Sequence, residues 1–547
     1  MKNIRIHKVK FMIAIFLILA CALFLRVYNL NKYDLWFDEQ GTDMFSSRNL
    51  IGAADLSGVS TSSLMLRNMK NDPHSSLYYL LVYLYSVVFG DGKSLRVLSV
   101  IFSMLSLGVF YKLSNTLFTR RVSLYALMIM AVNPFHLWYA QEARAYATAC
   151  FFALLMIYIY VQALKKDKLF YWICFSITSI LAICLSYYSG LLLIISGAAL
   201  FFKEYRRYIE KWYLSVCATL VFLLLLQYVL IDQLSFVKDN FWLPPPSLTT
   251  VLFTWRIFSL GYSATGILYQ IGLPVFFLFF GYGAYSYFRS DKAKASVFLL
   301  FLFLPIMITY ILSKLMAPVY IHRQLIIFSP IYYLFIAKGI ESIRGKYVQG
   351  LAILCVMILS AASLVNYHRG IMFTHENRGD LFLGAIPRRN YGDLMEHMDR
   401  ELRKGDLIAT ADIESYRMAF LHVIKKYKLH EHDLSKSFCF LSYPIKLQPF
   451  DVQYLQIGDL IGGLPLEGWE KLQVFSFFES GKVEMGKIQL NAGNFERIWL
   501  ISSKWEENAP FANNVASVRD YMDQEFRKVS SRERDGIYID LYIQKTR

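Results

Sequence analysis

The 547-residue chain is 56% hydrophobic and only 18% charged, and its mean hydropathy is +0.38. Soluble domains carry about 25% charged residues, so the composition excludes an ordinary soluble protein and favours a polytopic membrane protein. The net charge of +16 does not indicate nucleic-acid binding, because the basic residues cluster in short loops between apolar runs, where they signal orientation.

The apolar runs predict the membrane helices. A helix needs roughly 20 apolar residues to cross a bilayer, and about eleven runs approach that length: 9–28, 95–118, 122–140, 144–164, 169–187, 189–202, 212–231, 268–288, 295–313, 324–340 and 347–366. The first run lacks a small-residue cleavage site, so it is predicted to be an anchor rather than a signal peptide.

A further run at 75–89 decides the predicted topology. If this run lies along the membrane surface, every basic cluster between the other runs faces the cytoplasm, as the charge rule expects. The N-terminus is then inside, and three segments lie outside: 29–94, 232–267 and the tail from 367. The segment 232–267 is predicted to form a surface helix and a loop.

The segment 29–94 contains the acidic pair Asp38 and Glu39, directly after the first apolar run. Carboxylates at a membrane rim are costly to desolvate and usually mark a site, and a carboxylate can take a proton from an attacking hydroxyl. We therefore interpret Asp38 as catalytic and Glu39 as substrate-binding. A helix N-cap or an interfacial charge pair is the alternative. His74 and Tyr78 follow as candidates that line the site, although a lone His is more often a structural hydrogen-bonding residue.

Glu142 and Arg144 lie at the outer end of a later helix, after Pro134, which is predicted to end or kink that helix. We interpret Glu142 as a second catalytic carboxylate and Arg144 as a substrate-binding residue, because arginine offers planar recognition of a phosphate. A salt pair within a turn is the alternative. With Asp38, these residues suggest one site at the membrane–water boundary.

Basic residues are rare in the outer segments, yet four polar or basic residues cluster at one outer junction: Lys314, Tyr320, His322 and Arg323. We interpret them as binding an anionic partner such as a lipid phosphate, with Arg323 the strongest candidate. Snorkelling to ordinary headgroups is the alternative. The sequence shows no glycine-rich phosphate loop, no metal-ligand cluster and no nucleophile elbow, so no metal site is predicted.

The tail from 367 to 547 has dense charges and no run that could span a membrane. Short apolar stretches at 406–410 and 497–501 predict strands, and 391–402 predicts a helix. The expected architecture is thus a mainly α-helical membrane bundle at 1–366, which carries the catalytic site, and a small extracytoplasmic α/β domain at 367–547. Only Cys439 lies in that tail, so no disulfide can form within it.

Several motifs, taken in order, resemble the bacterial branch of the protein O-mannosyltransferase and aminoarabinose transferase superfamily, the C-type glycosyltransferases also called family 39-like. They are LWFDE at 35–39, DPHSSLYY at 72–79, FG at 89–90, LRVLS at 95–99, NPFHLWYAQEARAY at 133–146, and YIHR at 320–323 followed by Pro330. The family usually has His-Pro-Pro where this chain has His-Ser-Ser at 74–76.

The resemblance implies an inverting hexosyl- or pentosyltransferase in the cytoplasmic membrane, which moves a sugar from a polyprenyl-phosphate donor to a lipid, glycan or protein acceptor. Asp38 would deprotonate the acceptor, and basic residues would stabilise the departing lipid phosphate. No cofactor is required, and a divalent cation is left open. Two other functions stay open at this point: a glycolipid flippase or transporter, and a lipid-linked glycan polymerase or ligase.

Overall fold

The computed structural model forms two compact units. The helical unit comprises Met1–Leu30, Met69–His375 and Asp380–Pro387, and the α/β unit comprises Asn31–Asn68, Glu376–Gly379 and Arg388–Arg547. The structure describes residues 2–43, 45–51, 60–70, 76–225, 245–316, 318–372, 390–401, 403, 406–410, 439–442, 474–476, 478–479, 482–483, 496–503, 512–534 and 537–545.

The helical unit is built almost wholly from apolar helices. In chain order, and leaving short 3-10 turns aside, they are α1 (Lys2–Val27), α4 (Ser76–Phe89), α5 (Arg96–Leu117), α6 (Arg120–Val132), α7 (Pro134–Ala140), α8 (Tyr146–Lys166), α9 (Leu169–Leu185), α10 (Ser189–Ser196), α11 (Ile209–Leu225), α12 (Leu248–Leu260), α13 (Gly266–Ser290), α14 (Lys292–Leu315), α15 (Ser329–Ser342) and α16 (Lys346–His368). Helices α2 (Phe37–Asp43) and α3 (Thr61–Lys70) lie between α1 and α4 in the sequence.

Seven helical segments in the described part of the chain are long and apolar enough to cross a membrane, and the bent pair α6 and α7 makes an eighth. The expected count was about eleven. The difference comes from the runs at 169–187, 189–202 and 324–340, whose longest helices have 17, 8 and 14 residues. At 1.5 Å per residue the longest of them spans about 26 Å, at the lower end of the length that a crossing helix needs, so helix length alone does not test the predicted count. Helix α4 has 14 residues, as many as α15, so its length does not distinguish the predicted surface position from a crossing.

Helices α13 and α15 approach each other closely at two glycines. A Cβ atom at Gly283 would collide with the carbonyl of Phe335, and one at Gly339 would collide with the carbonyl of Phe279. Small residues at such crossings let helix backbones come together where lipid provides no hydrophobic force to drive association. Helix α15 is buried along almost its whole length and therefore forms the centre of the helical unit.

The α/β unit contains a six-stranded mixed sheet in the order β3-β2-β1-β6-β8-β7. Its strands are β1 (Leu407–Thr410), β2 (Cys439–Ser442), β3 (Val474–Ser476), β6 (Arg497–Ser503), β7 (Phe526–Arg534) and β8 (Ile537–Gln544), and β4 (Phe478–Glu479) with β5 (Lys482–Val483) forms a separate pair. Strands β1, β2, β3 and β6 pair in parallel, whereas β8 is antiparallel to β6 and β7.

Helices α17 (Gly392–Glu401) and α18 (Ala512–Glu525) also belong to this unit, as does α2. Buried Trp499 and Tyr542 lie in the middle of its sheet, and buried Met395 and Met398 belong to α17. The expected α/β fold of the tail is confirmed: the two predicted strands are β1 and β6, and the predicted helix is α17.

Candidate functional site

A sharp bend between α6 and α7 shapes the region around Glu142. The helix axis bends by 57° between them. Asn133 ends α6 and caps α7: its Oδ1 atom accepts the amides of Phe135 and His136 at 3.0 and 3.3 Å, and Pro134 occupies the first helical position, where its missing N–H costs nothing. The Asn133 amide also donates to the carbonyl of Phe258 at 2.9 Å, so this bend is fastened to α12.

Gln141 ties the end of α7 to the end of α1. Its Nε2 atom donates to the carbonyls of Leu25, Arg26 and Tyr28 at 3.2, 3.0 and 2.9 Å, and its Oε1 atom accepts the Tyr367 hydroxyl at 2.6 Å. The last carbonyls of a helix have no partner within the helix. At the end of α1, the Gln141 side chain supplies a donor to such carbonyls. The residues that follow Gln141 are thereby held in place.

Glu142 is only 2% exposed. Its Oε2 atom accepts the indole N–H of Trp138 at 3.0 Å, and its backbone carbonyl accepts the Ser99 hydroxyl at 2.6 Å. A buried carboxyl group with an orienting donor has a defined direction. The structure therefore gives Glu142 a well-defined carboxylate within the helical unit.

Arg144 and Tyr146 line a pocket in the helical unit. The other lining residues come from α4, α8, α9, the turn after α9 and the start of the 3-10 turn Gln324–Ile327: Tyr78, Tyr79, Ala145, Ala149, Ile183, Cys184, Leu185, Ser186, Tyr187, Tyr188 and Gln324. With Tyr146, five of the residues that line the pocket are tyrosines, and Arg144 is 4% exposed. The predicted site residues Tyr78 and Arg144 thus meet at one pocket.

Arg323 contacts one of these lining residues, Tyr146. Its guanidinium carbon lies 5.7 Å from the centre of the Tyr146 ring, and the side chain is 8% exposed. Arg323 thus reaches the pocket through Tyr146, and Arg144 is the arginine that lines it. A guanidinium has five N–H donors, so each can serve a protein acceptor and a bound anion together.

The pocket tyrosines are hydrogen-bond donors at physiological pH. Burial raises the pKa of Tyr187 to about 12, with a further increase from Cys184. Burial also raises the pKa of Tyr188, an effect that Arg323 opposes. Because Tyr187 keeps its proton, its hydroxyl can donate to an oxygen of an anion, whereas the Tyr188 hydroxyl donates to the carbonyl of Val319.

Tyr320 and His322 hold the Arg323 loop against α12. The hydroxyls of Tyr320 and Thr254 are 2.5 Å apart, and His322 Nε2 lies 3.0 Å from the carbonyl of Thr250. Both predicted substrate-binding residues are buried. These contacts lie one helical turn apart on α12, so they set the direction of the loop that carries Arg323.

The remaining predicted residues lie elsewhere. Lys314 is exposed at the end of α14, where its ammonium lies 5.9 Å from the Tyr310 ring, and it does not line the pocket. Asp38 and Glu39 begin α2 in the α/β unit. His74 lies outside the described residues.

Glu39 and Asp38 differ in their surroundings. Glu39 is 1% exposed, and its Oε2 atom accepts the amide of Trp36 at 3.3 Å. Trp36 directly precedes α2, so Glu39 makes the return contact of a capping box. This contact matches the alternative interpretation of the pair, a helix N-cap. Asp38 is half-buried, in the first turn of α2.

Among the residues that the structure describes, no group of three or more His, Cys, Asp or Glu side chains is placed to hold a metal ion. The pocket also contains residues that the sequence analysis did not select, chiefly Tyr79, Tyr146, Tyr187 and Tyr188. The sequence contained a signal for these tyrosines, because tyrosines cluster at the ends of apolar runs. It did not show which of those ends come together in the fold.

Comparison with known proteins identifies the fold. Residues 74–231 match the family model described as dolichyl-phosphate-mannose-protein mannosyltransferase. The whole chain is similar to the crystal structure of ArnT from Cupriavidus metallidurans in the apo state, with a TM-score of 0.57 and 9% identity over 96% of this chain and 97% of that chain. The chain has the C-type glycosyltransferase fold.

The resemblance to C-type glycosyltransferases expected from the motifs is therefore confirmed. A second crystal structure, ArnT from the same organism bound to undecaprenyl phosphate, is similar at a TM-score of 0.56, also with 9% identity and coverage of 96% and 97% of the two chains. A search of curated protein sequences finds no match. The region that matches the family model contains Glu142, Arg144 and most of the residues that line the pocket.

Proposed function

We propose that the protein is an inverting glycosyltransferase that moves a sugar from a polyprenyl-phosphate donor to an envelope acceptor at the outer face of the cytoplasmic membrane. The observation that carries this proposal is the pocket in the helical unit. It combines Arg144 with five tyrosine side chains, and Arg323 lies against one of them, Tyr146.

The pocket has the chemistry of a phosphate site. Guanidinium groups recognise phosphate oxygens through paired N–H donors, and protonated tyrosines add neutral donors. ArnT, which has a similar fold, has been crystallised with undecaprenyl phosphate, and this supports a polyprenyl phosphate as the group that enters here.

The reaction we assign is a single displacement. Asp38 takes the proton of the acceptor hydroxyl, or an equivalent group, and the acceptor oxygen then forms a bond to the anomeric carbon. The bond from that carbon to the phosphate oxygen breaks, and the lipid phosphate leaves with the bonding electrons. It leaves as a stable anion, so no general acid is needed. Arg144 and Arg323 stabilise the charge that grows on it.

Glu142 has a second role in this proposal. Trp138 directs one of its carboxylate oxygens. We assign Glu142 to orient the sugar hydroxyls next to the phosphate. Tyr78 is assigned to the donor pocket that it lines, and Tyr320 and His322 are assigned to hold Arg323 in place.

The assay uses purified protein in liposomes with a polyprenyl-phosphate sugar that is labelled in both the sugar and the lipid. A transferase releases free lipid phosphate and moves the sugar label to an acceptor. Arg144→Ala should remove this activity, whereas Arg206→Ala, which changes an exposed arginine, should retain it.

Two results would contradict the proposal. Movement of intact donor between leaflets without release of lipid phosphate would indicate a flippase. Growth of a lipid-linked glycan, with lipid diphosphate as the released product, would indicate a polymerase or ligase.

A further inference from the structure

Within the α/β unit, the segment that carries Asp38 is fastened to the first turn of α17. The carboxylate of Asp34 accepts the amides of Tyr391 and Gly392, both at 2.8 Å on its Oδ2 atom. These amides belong to the start of a helix that has no partners for them within itself. Asp34 therefore caps a helix from more than 350 positions away in the sequence.

The residue at the cap position of α17 explains why a distant carboxylate is used. Tyr391 precedes the helix, and tyrosine lacks the short polar side chain that normally satisfies the first amides. The helix dipole also favours a negative charge at this end. Asp34 supplies both the acceptor and the charge.

The Tyr391 side chain also holds the segment that carries Asp38. Its hydroxyl donates to the carbonyl of Leu35 at 2.9 Å and accepts the Gln40 amide at 2.6 Å. Gln40 also donates to the Leu35 carbonyl at 2.8 Å. The backbone of 34–40 is thus held at both ends, and Asp38 lies between them.

We propose that Asp34, Gln40 and Tyr391 are positioning residues for Asp38, so that α17 of the C-terminal α/β unit sets the direction of the base. This inference rests on the proposed function, in which Asp38 removes the acceptor proton. None of the three residues needs to touch a substrate. They act by restricting the first turn of α2, where the base lies.

Two substitutions separate positioning from folding. Tyr391→Phe removes one hydroxyl and keeps the ring, and Asp34→Ala removes the carboxylate that caps α17. Both should lower kcat by about 10-fold to 100-fold, since small misplacements of reacting groups cost about that much. The donor KM should stay unchanged, because the pocket residues are intact. Asp34→Asn keeps an acceptor oxygen and should recover part of the loss.

A control and a second readout complete the test. Glu396→Ala removes an exposed carboxylate from the same helix and should leave kcat and KM unchanged. Hydrogen exchange of the amides in 37–43 should become faster in Asp34→Ala and Tyr391→Phe, but not in Glu396→Ala, while the helices of the helical unit keep their protection.

The outcomes are distinguishable from a failure of the proposed function. If Asp38→Asn remains active, the assignment of the base fails, and hydrogen exchange still tests the connection itself. If Asp38→Asn is inactive while Tyr391→Phe and Asp34→Ala retain the wild-type kcat, the positioning role is refuted. A rise in donor KM with an unchanged kcat would also refute it.

Discussion

Replacing Arg323 by lysine keeps the positive charge and removes the planar pair of donors. Arg323 is 8% exposed and lies 5.7 Å from the Tyr146 ring, so its interactions are screened little by water. Lysine is a compact point charge, whereas arginine matches two phosphate oxygens at once. The substitution therefore tests whether Arg323 binds a phosphate or only anchors its loop to headgroups.

The expected loss can be bounded. A hydrogen bond to a charged group contributes about 1.5–3 kcal/mol, and Arg323→Lys should lose one such bond to the phosphate. Each 1.36 kcal/mol in the barrier corresponds to a factor of about ten. We therefore expect kcat/KM for the donor to fall about 10-fold to 100-fold. Both parameters should change, because the charge on the leaving phosphate grows in the transition state.

The assay is steady-state release of lipid phosphate by the purified variant over a range of donor concentrations. Arg121→Lys is the matched control, because it makes the same exchange at an exposed arginine and should leave the kinetics unchanged. If Arg323→Lys has the wild-type KM and kcat, Arg323 only anchors its loop to lipid headgroups and is not part of the proposed site.

Three further predictions address the base, the topology and the helix packing. Asp38→Asn should lower turnover by about 10²- to 10⁴-fold while donor binding persists; wild-type turnover would remove Asp38 as the base. Val529→Cys on β7, 53% exposed, placed in a background without Cys439, should react with an impermeant thiol reagent in intact cells; labelling only after lysis would reverse the proposed topology. Gly339→Ala should lower the free energy of unfolding by about 1–3 kcal/mol in a thermal or denaturant assay, because α13 leaves no room for a methyl group. At Gly350 a Cβ atom meets nothing within 4 Å, so equal losses from Gly339→Ala and Gly350→Ala would contradict this explanation.

Much of the architecture could be predicted from the sequence because it depends on local patterns. An apolar run prefers lipid whatever elements pack beside it. In the tail, the alternation of apolar and polar residues directly indicates strands. The bend at Pro134 was predicted for the same reason, since a proline acts within one turn of helix.

The ends of the helices were harder to predict. Hydropathy does not show where a helix ends inside an apolar run. At 169–187 the helix stops at Leu185, and at 324–340 a 3-10 turn precedes the helix. These breaks depend on packing against neighbouring helices, which a one-dimensional pattern does not contain.

The sequence by itself determined the membrane class, the α/β tail and the motifs around Asp38, Glu142 and Arg323, because each lies within a few adjacent residues. Tertiary structure alone decided which side chains meet: Arg144 and Tyr188 at one pocket, and Asp34 at the amide of Tyr391. Such contacts join residues tens to hundreds of positions apart. They arise only when separate elements pack, because the hydrogen-bonding groups at helix ends take whatever partner the fold brings within reach.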